Sequence, residues 1–338
     1  MMSDYALFRM PYAQQAYRVG DGTQQPVVLT SAQQLDDVSG FVMAPFVATP
    51  QHPILVIPGE AQPYTLATDS YMSHGVEHYS REDYSHAFAR FHDAIVEGRF
   101  SKLVLSRCSE VDMDTEIDPE RLFSEACHRY PRMMIALVRS DIAGTWLMAT
   151  PEILIAQNGD RWNTMALAGT MRYEGEQDYQ WSAKNIAEQE MVVRYVDECL
   201  RPLAIDINIG NPYTVRAGNL VHLRTDISFR LSPDSPHGIG TIVDALHPTP
   251  AVCGLPKREA MSFILDNESI ERKYYSGYLG PWNVAGQSSL FVSLRCMQMY
   301  SHKYILHAGG GLLKESNEES EWRETMMKMQ AMRNLWQK

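Results

Sequence analysis

The last third of the chain carries, in order, groups suited to holding a small dianion. Arg295 ends an apolar run from Leu290, Gly309 to Gly311 follow a second apolar run from Tyr304, and Glu321, Glu324 and Lys328 open a terminal segment of helical spacing. A guanidinium offers a planar fork to a carboxylate and an ammonium a point charge. Consecutive glycines at a strand end let backbone N–H groups close on an anion as a nest. Each feature also has a plainer reading. Gly309 to Gly311 serve equally as a turn before a helix, and Glu324 with Lys328 has the i,i+4 spacing of a surface ion pair. Glu321, Glu324, Lys328, Ala331 and Leu335 step by threes and fours, so charged and apolar residues share one helix stripe.

Upstream stand residues suited to proton transfer. Lys102 enters an apolar run, Leu103-Val-Leu. It reads as a strand-end lysine reaching solvent, or as a buried amine that desolvation turns towards a base. Glu152 follows Pro151 between two apolar runs, so its carboxylate either faces water at a turn or is held in a site. Glu188 shares a helix face with Val192, Tyr195, Val196 and Cys199, where a carboxylate is costly unless paired or bound to a cation. Lys184, four residues back, is one available partner. His247 lies between Leu246 and Pro248 and reads as a core histidine or a site residue.

Taken together, the ordered blocks resemble the chorismate-binding enzymes, the family of isochorismate, salicylate, anthranilate and aminodeoxychorismate synthases. The resemblance covers residues 76 to 336 and rests on Glu77-His-Tyr-Ser, Ser101-Lys-Leu-Val-Leu-Ser-Arg107, Ala149-Thr-Pro-Glu-Ile153, Leu167-Ala-Gly-Thr170, Ala183-Lys-Asn-Ile-Ala-Glu188, Leu246-His-Pro-Thr-Pro-Ala-Val-Cys-Gly254 and the C-terminal stretches above. It implies an α+β fold of two large, mostly antiparallel sheets packed together with helices outside. Residues 1–75 would be a strand-rich part integrated into that fold, and 76–338 the catalytic region.

The same resemblance implies roles. Lys102 would activate water; in the amine-inserting relatives a small residue usually stands there. Glu152 would be the general acid. Ala168, Gly169 and Thr170 would form a substrate-contacting turn, with Ala168 of the isochorismate type. Glu188, Glu321 and Glu324 would hold Mg2+. His247 would lie near the substrate ring with Thr249, Tyr275 and Arg295 would contact its carboxylates, Gly309 and Gly310 would offer N–H groups, and Lys328 would complete the clamp. The implied reaction is the Mg-dependent conversion of chorismate to isochorismate, by water addition at C2 with loss of the C4 hydroxyl. It would serve menaquinone or siderophore biosynthesis. A salicylate synthase, which goes on to eliminate pyruvate, uses the same residues; a non-catalytic chorismate-binding protein would lack Lys102 or Glu152. The chain departs from many relatives at Gln189, Val252, His307 and Gly310, where His, Leu, Tyr and Ala are commoner, and these changes bear on selectivity more than on reaction class.

The elements that must position these groups are mixed. Tyr84, Ala87, Phe88, Phe91 and Ile95 are spaced for a helix from Arg81 to Gly98 with Ser80 as N-cap, and Ser182 to Leu200 reads as a second helix. Pro26–Thr30, Gly40–Ala44, Ile54–Ile57, Leu103–Ser106, Met133–Val138, Trp146–Ala149 and Ile153–Ala156 read as strands. Such interspersion is an α+β arrangement, without regular βαβ alternation. A net charge of −11 argues against a nucleic-acid partner, so an acidic substrate needs a local cationic cluster. Five scattered cysteines without a CxxC pair, together with no membrane span or leader pattern, suit a reducing cytosol. No glutaminase-like segment or partner is expected.

Overall fold

Several strands of this chain are apolar on both faces. In the Met134–Ser140 strand, Met134, Ala136 and Val138 point one way, Ile135 and Leu137 the other, and all are buried. Such strands need cover on both sides. The computed structural model, which describes residues 4–68, 73–232, 237–284 and 286–337, supplies that cover with four layers: helices, sheet, sheet, helices.

The first sheet has ten strands, running Gly254–Leu255, Lys102–Met113, Lys303–Leu312, Cys296–Met299, Gly144–Thr150, Met134–Ser140, Tyr5–Arg9, Ala16–Val19 and Gln62–Tyr64, with Gly75–His78 also paired to Lys102–Met113. The second, also of ten, runs Ala204–Ile209, Leu220–Leu231, Arg161–Arg172, Ile153–Asn158, Ser289–Val292, Tyr278–Trp282, Gly40–Ala44, Ile54–Ile57 and Val27–Leu29, with Tyr213–Ala217 also on Leu220–Leu231. All these pairings are antiparallel, in keeping with the expected α+β class. Strands from the first 65 residues enter both sheets.

Between the sheets lie Phe8, Phe41, Met43, Leu55, Trp146, Met148 and Phe291. Each such buried large side chain contributes about 1.5–3 kcal/mol on transfer from water, so Trp146→Ala, which also leaves a void, would cost about 3–5 kcal/mol. The helices Pro119–Arg129 and Glu318–Arg333 cover the first sheet, and Ala183–Leu200 and Ile239–Leu246 the second. The Ser80 and Ser182 hydroxyls cap helices Arg81–Val96 and Ala183–Leu200 by accepting from the N–H groups of Asp83 and Asn185. No helix among the described residues is long and apolar enough to cross a membrane.

Two segments pass from one sheet to the other side by side. Gly144–Thr150, in the first sheet, continues as Ile153–Asn158 in the second; Ser289–Val292, in the second, continues as Cys296–Met299 in the first. The Ala149 N–H donates to the Arg295 carbonyl at 3.1 Å and the Val292 N–H to the Glu152 carbonyl at 2.9 Å, which ties the crossings together. Glu152 and Arg295 therefore sit at adjacent bends between the sheets. Arg295 takes a left-handed φ of 44°, which an L residue adopts at a cost of order 1–3 kcal/mol.

The glycine triplet differs from its expected turn. Gly309, Gly310 and Gly311 lie inside the Lys303–Leu312 strand, paired with Ser106, Leu105 and Val104, and none has a positive φ. The neighbour on the other edge, Cys296–Met299, pairs only with Tyr304 to His307 before the chain bends away at Arg295. The triplet thus serves as a flat, side-chain-free stretch of strand beside the crossings. No nest forms.

Candidate active site

A partly enclosed cavity lies at these crossings. Its wall includes Glu152 and Arg295 from the bends, Gly309 and Gly311 from the glycine strand, and Glu324 and Lys328 from the terminal helix. Ala168, Gly169 and Thr170 also line it. The strand Arg161–Arg172 slips register between Ala168 and Met171, and Gly169 takes φ +71°, so this bulge re-aims the segment at the cavity. Tyr275 adds its ring, and Glu188 reaches in from the Ala183–Leu200 helix.

Glu152 is 3% exposed. Burial pushes its carboxyl up to about 8, against the pull of Lys102, Lys328 and Arg295, so it holds a proton at neutral pH. Lys102 is fully buried beneath the wall, and its Nζ lies 2.9 Å from Glu188 Oε1. That contact is an ion pair off hydrogen-bond geometry, which leaves the ammonium protons without an aligned acceptor. A buried amine and a buried neutral acid thus lie within electrostatic reach of each other.

Three carboxylates gather at the glycine strand. A Cβ on Gly311 would stand 2.3 Å from Glu188 Oε1, and one on Gly310 would stand 2.9 Å from Glu321 Oε2 and 4.0 Å from Glu324 Oε1. Each carboxylate has an ammonium partner: Lys102 for Glu188, Lys184 for Glu321 at 2.6 Å, and Lys328 for Glu324 at 2.7 Å. Lys184 therefore crosses to Glu321 in place of an i,i+4 pair with Glu188. Burial and the Glu324 charge raise the Glu321 carboxyl, whereas in Glu324 the effect of burial is outweighed by the Lys328 ammonium and the carboxyl is lowered. Such charges are stable only while cations stand beside them.

Arg295 is buried, and burial lowers its guanidinium to about 10. Its Nη2 lies 2.8 Å from His222 Nε2, while His222 Nδ1 lies 2.9 Å from the Gly169 carbonyl. The pairing assigns the tautomer: Nδ1–H donates to Gly169, and Nε2 accepts from Arg295. Burial and the Arg295 charge hold the His222 ring down at about 3, so it is neutral. Arg295 Nη1 has no partner. Lys328 Nζ also donates to the Gly309 carbonyl at 2.8 Å.

Three expected substrate contacts fall elsewhere. His247 lies off this cavity: its Nε2 meets the Phe46 carbonyl at 3.1 Å and its ring packs edge-on against Tyr278 at 4.9 Å, on the outer side of the second sheet. The helix ending at Leu246 and the buried Tyr278 fix it there. Thr249 does not line the cavity either; its carbonyl accepts from the N–H groups of Val252 and Cys253, and the turn so made brings Ala251 and Val252 to the wall. Gly310 faces the carboxylates and not the cavity. His222 has no signature in the sequence, because one histidine in the Leu220–Leu231 strand carries no spacing signal.

A family model for chorismate binding enzymes matches residues 57–336. The chain belongs to the chorismate-binding enzyme family. Among the curated relatives, isochorismate synthase EntC of Escherichia coli K12 is 29% identical over 244 residues, covering 70% of this chain and 62% of that protein. The aligned region thus spans about three-fifths of that relative's length. The putative isochorismate synthase MenF of Mycobacterium tuberculosis is 31% identical over 265 residues, 73% of this chain and 71% of that one. Among solved structures, a putative 2,3-dihydroxybenzoate-specific isochorismate synthase, DhbC of Bacillus anthracis, superposes with a TM-score of 0.84 at 24% identity, over 98% of this chain and 96% of that one. Anthranilate synthase component I of Streptococcus pneumoniae shares the fold less closely, with a TM-score of 0.70 at 15% identity, over 97% of this chain and 89% of that one.

Proposed function

We propose that this family member is an isochorismate synthase, converting chorismate to isochorismate by adding water at C2 as the C4 hydroxyl leaves. The observation that carries the reading is the pairing of a buried amine, Lys102, with a buried acid, Glu152, which is held neutral near pH 7. Substitution needs a base for the attacking water and an acid for the leaving hydroxyl, with environments that set the two apart. Lys102 acts as the neutral amine, after its ammonium has given a proton to solvent, and takes the proton from water; Glu152 delivers its own to the departing C4 oxygen as the ring double bonds shift. Water being the nucleophile, no ammonia-supplying glutaminase partner is required.

Charge in the cavity orients the substrate. Arg295, locked by neutral His222, and Lys328 draw the enolpyruvyl carboxylate, and Tyr275 closes that side. The far end of the glycine strand carries Glu188, with Glu321 and Glu324 beside it, and these residues fit Mg2+. Glu188 stands on the Gly311 face of the strand and Glu321 and Glu324 on the Gly310 face, and the fit rests on these hard oxygen donors all lying within electrostatic reach of Lys184, each now balanced by an ammonium. Among the described residues no cluster of three potential ligands stands ready-made. Mg2+ commonly takes one or two carboxylates, with waters and the substrate's own anionic group completing the shell. When bound it would supply positive charge to hold and polarise the ring carboxylate. The remaining catalysis is positioning and charge stabilisation in a dry site.

The test is incubation with chorismate and Mg2+, with products separated by chromatography and pyruvate followed by a coupled dehydrogenase. Isochorismate should dominate and approach the same equilibrium from either side. Pyruvate release keeping pace with chorismate loss would make the chain a salicylate synthase instead.

A further inference from the structure

One cavity-lining group takes no part in the mechanism above. His307 is 4% exposed and lines the cavity, yet neither ring nitrogen has a hydrogen-bond partner. A buried imidazole left unpaired costs about 1–3 kcal/mol per polar atom, which points to a partner that arrives with the ligand. Its place in the strand says which part of the ligand. Side chains two residues apart share a face, so His307, Gly309 and Gly311 look the same way at intervals of about 6.6 Å. Gly311 faces Glu188, Gly309 faces Tyr275, and His307 stacks on Tyr275 with ring centroids 5.4 Å apart and planes 20° apart. Along this line His307 lies about 13 Å from the carboxylate end. Its partner on the adjacent strand is Cys296, the residue after Arg295. Arg295 Nη1 is a second buried, unpartnered donor on the cavity wall.

We propose that His307 is a specificity-determining residue that donates a ring N–H to the side-chain carboxylate of the substrate, the one remote from Glu188. The assignment rests on the function proposed above, in which Arg295 draws that carboxylate. Burial, then the nearby Lys273 and Arg272 charges, holds the ring down at about 3, so it meets the substrate as a neutral donor. A neutral donor suits this place. Lys273 and Arg272 already act on the ring, and a further cation would be repelled. Stacking on Tyr275 and a tilted contact with Trp146 at 5.5 Å fix the ring, so the donor is set before binding.

The test uses two unreactive aromatic ligands with the full chain in Mg2+: 3-(1-carboxyvinyloxy)benzoate, which keeps both carboxylates, and 3-hydroxybenzoate, which lacks the side chain. Calorimetric Kd values are compared for the unaltered protein, His307→Phe and His307→Gln. Phe keeps the stacking ring without a donor, and Gln restores an N–H. His307→Phe should weaken the dicarboxylate by about ten- to a hundred-fold, the range of a hydrogen bond to a charged group, and 3-hydroxybenzoate by no more than about two-fold. Gln should recover a good part of the loss. Equal weakening of both ligands by His307→Phe would reduce His307 to a packing role and overturn the proposal, as would Gln binding no better than Phe. If the unaltered protein binds neither ligand, the proposed function fails first and this inference falls with it.

Discussion

Glu152 offers a thermodynamic prediction that needs no substrate. Its carboxyl is raised by burial from an ordinary 4.5 to about 8 in the fold. The sign follows from proton linkage: between these values the unfolded chain has lost the proton and the folded chain keeps it, so stability falls as pH rises. The contribution is complete below pH 4.5, declines by about 1.4 kcal/mol per pH unit, and levels off above about 8. Over the whole window that amounts to about 5 kcal/mol as an upper figure, and relaxation around a buried charge should reduce it to roughly 2–4 kcal/mol. Glu152→Gln replaces the neutral acid by a near-isostere that does not titrate. Urea unfolding of both proteins at half-unit steps from pH 4 to pH 9.5 isolates this one group, since the other titrating groups are common to both. The difference curve should be flat below 4.5, slope in favour of Gln up to about 8, and then flatten. A difference independent of pH would mean that Glu152 is ionised in the fold, and its role as proton donor would be refuted.

Lys102→Gln should lower kcat by about two to four orders of magnitude, the usual yield of a positioned proton transfer; because Lys102 is fully buried against Glu188, the variant should also lose about 3 kcal/mol in urea unfolding. Turnover close to normal would remove Lys102 from the mechanism. EDTA should abolish product formation, and Glu324→Gln should weaken Mg2+ binding measured by calorimetry by at least ten-fold, whereas full activity in metal-free buffer would contradict the metal reading. Gly311→Ala places a Cβ 2.3 Å from Glu188 Oε1 and 2.9 Å from Lys102 Cε, so it should displace that ion pair and cost activity by two orders or more. Gly310→Ala meets only the flexible end of Glu321 at 2.9 Å and should cost less than ten-fold; equal effects in a steady-state assay would show that the strand face is misassigned.

Local signals made much of this architecture legible. Apolar periodicity and the serine caps marked the helices starting after Ser80 and Ser182, and those helices stand within two residues of the expected ends. Glu152 was marked as unusual by the apolar runs around it, and those runs prove to be strands of different sheets. What stayed hidden is long-range. No spacing reveals that Thr150 and Val292 end strands that cross between sheets side by side, yet that crossing brings Glu152 and Arg295 to one cavity. The glycine triplet reads as a turn because glycine is common in turns; pairing with Val104 to Ser106 overrides that preference and keeps it in a strand. Lys184 has Glu188 at helical spacing, but the terminal helix brings Glu321 closer. His247 shares a block with Ala251 and Val252, and only the fold shows that the block's end reaches the cavity while its start packs behind the sheet.

In the proposed function, water from solvent, deprotonated by the neutral amine of Lys102, becomes the new hydroxyl at C2 while the C4 oxygen leaves with the proton from Glu152. Turnover of chorismate with Mg2+ in 18O-labelled water, stopped early and read by mass spectrometry, tests this directly. One labelled oxygen is expected in each isochorismate formed, located at C2, and no label in the remaining chorismate at early times. Isochorismate formed without label would mean that the hydroxyl migrates within the substrate, and the roles given to Lys102 and Glu152 would be wrong.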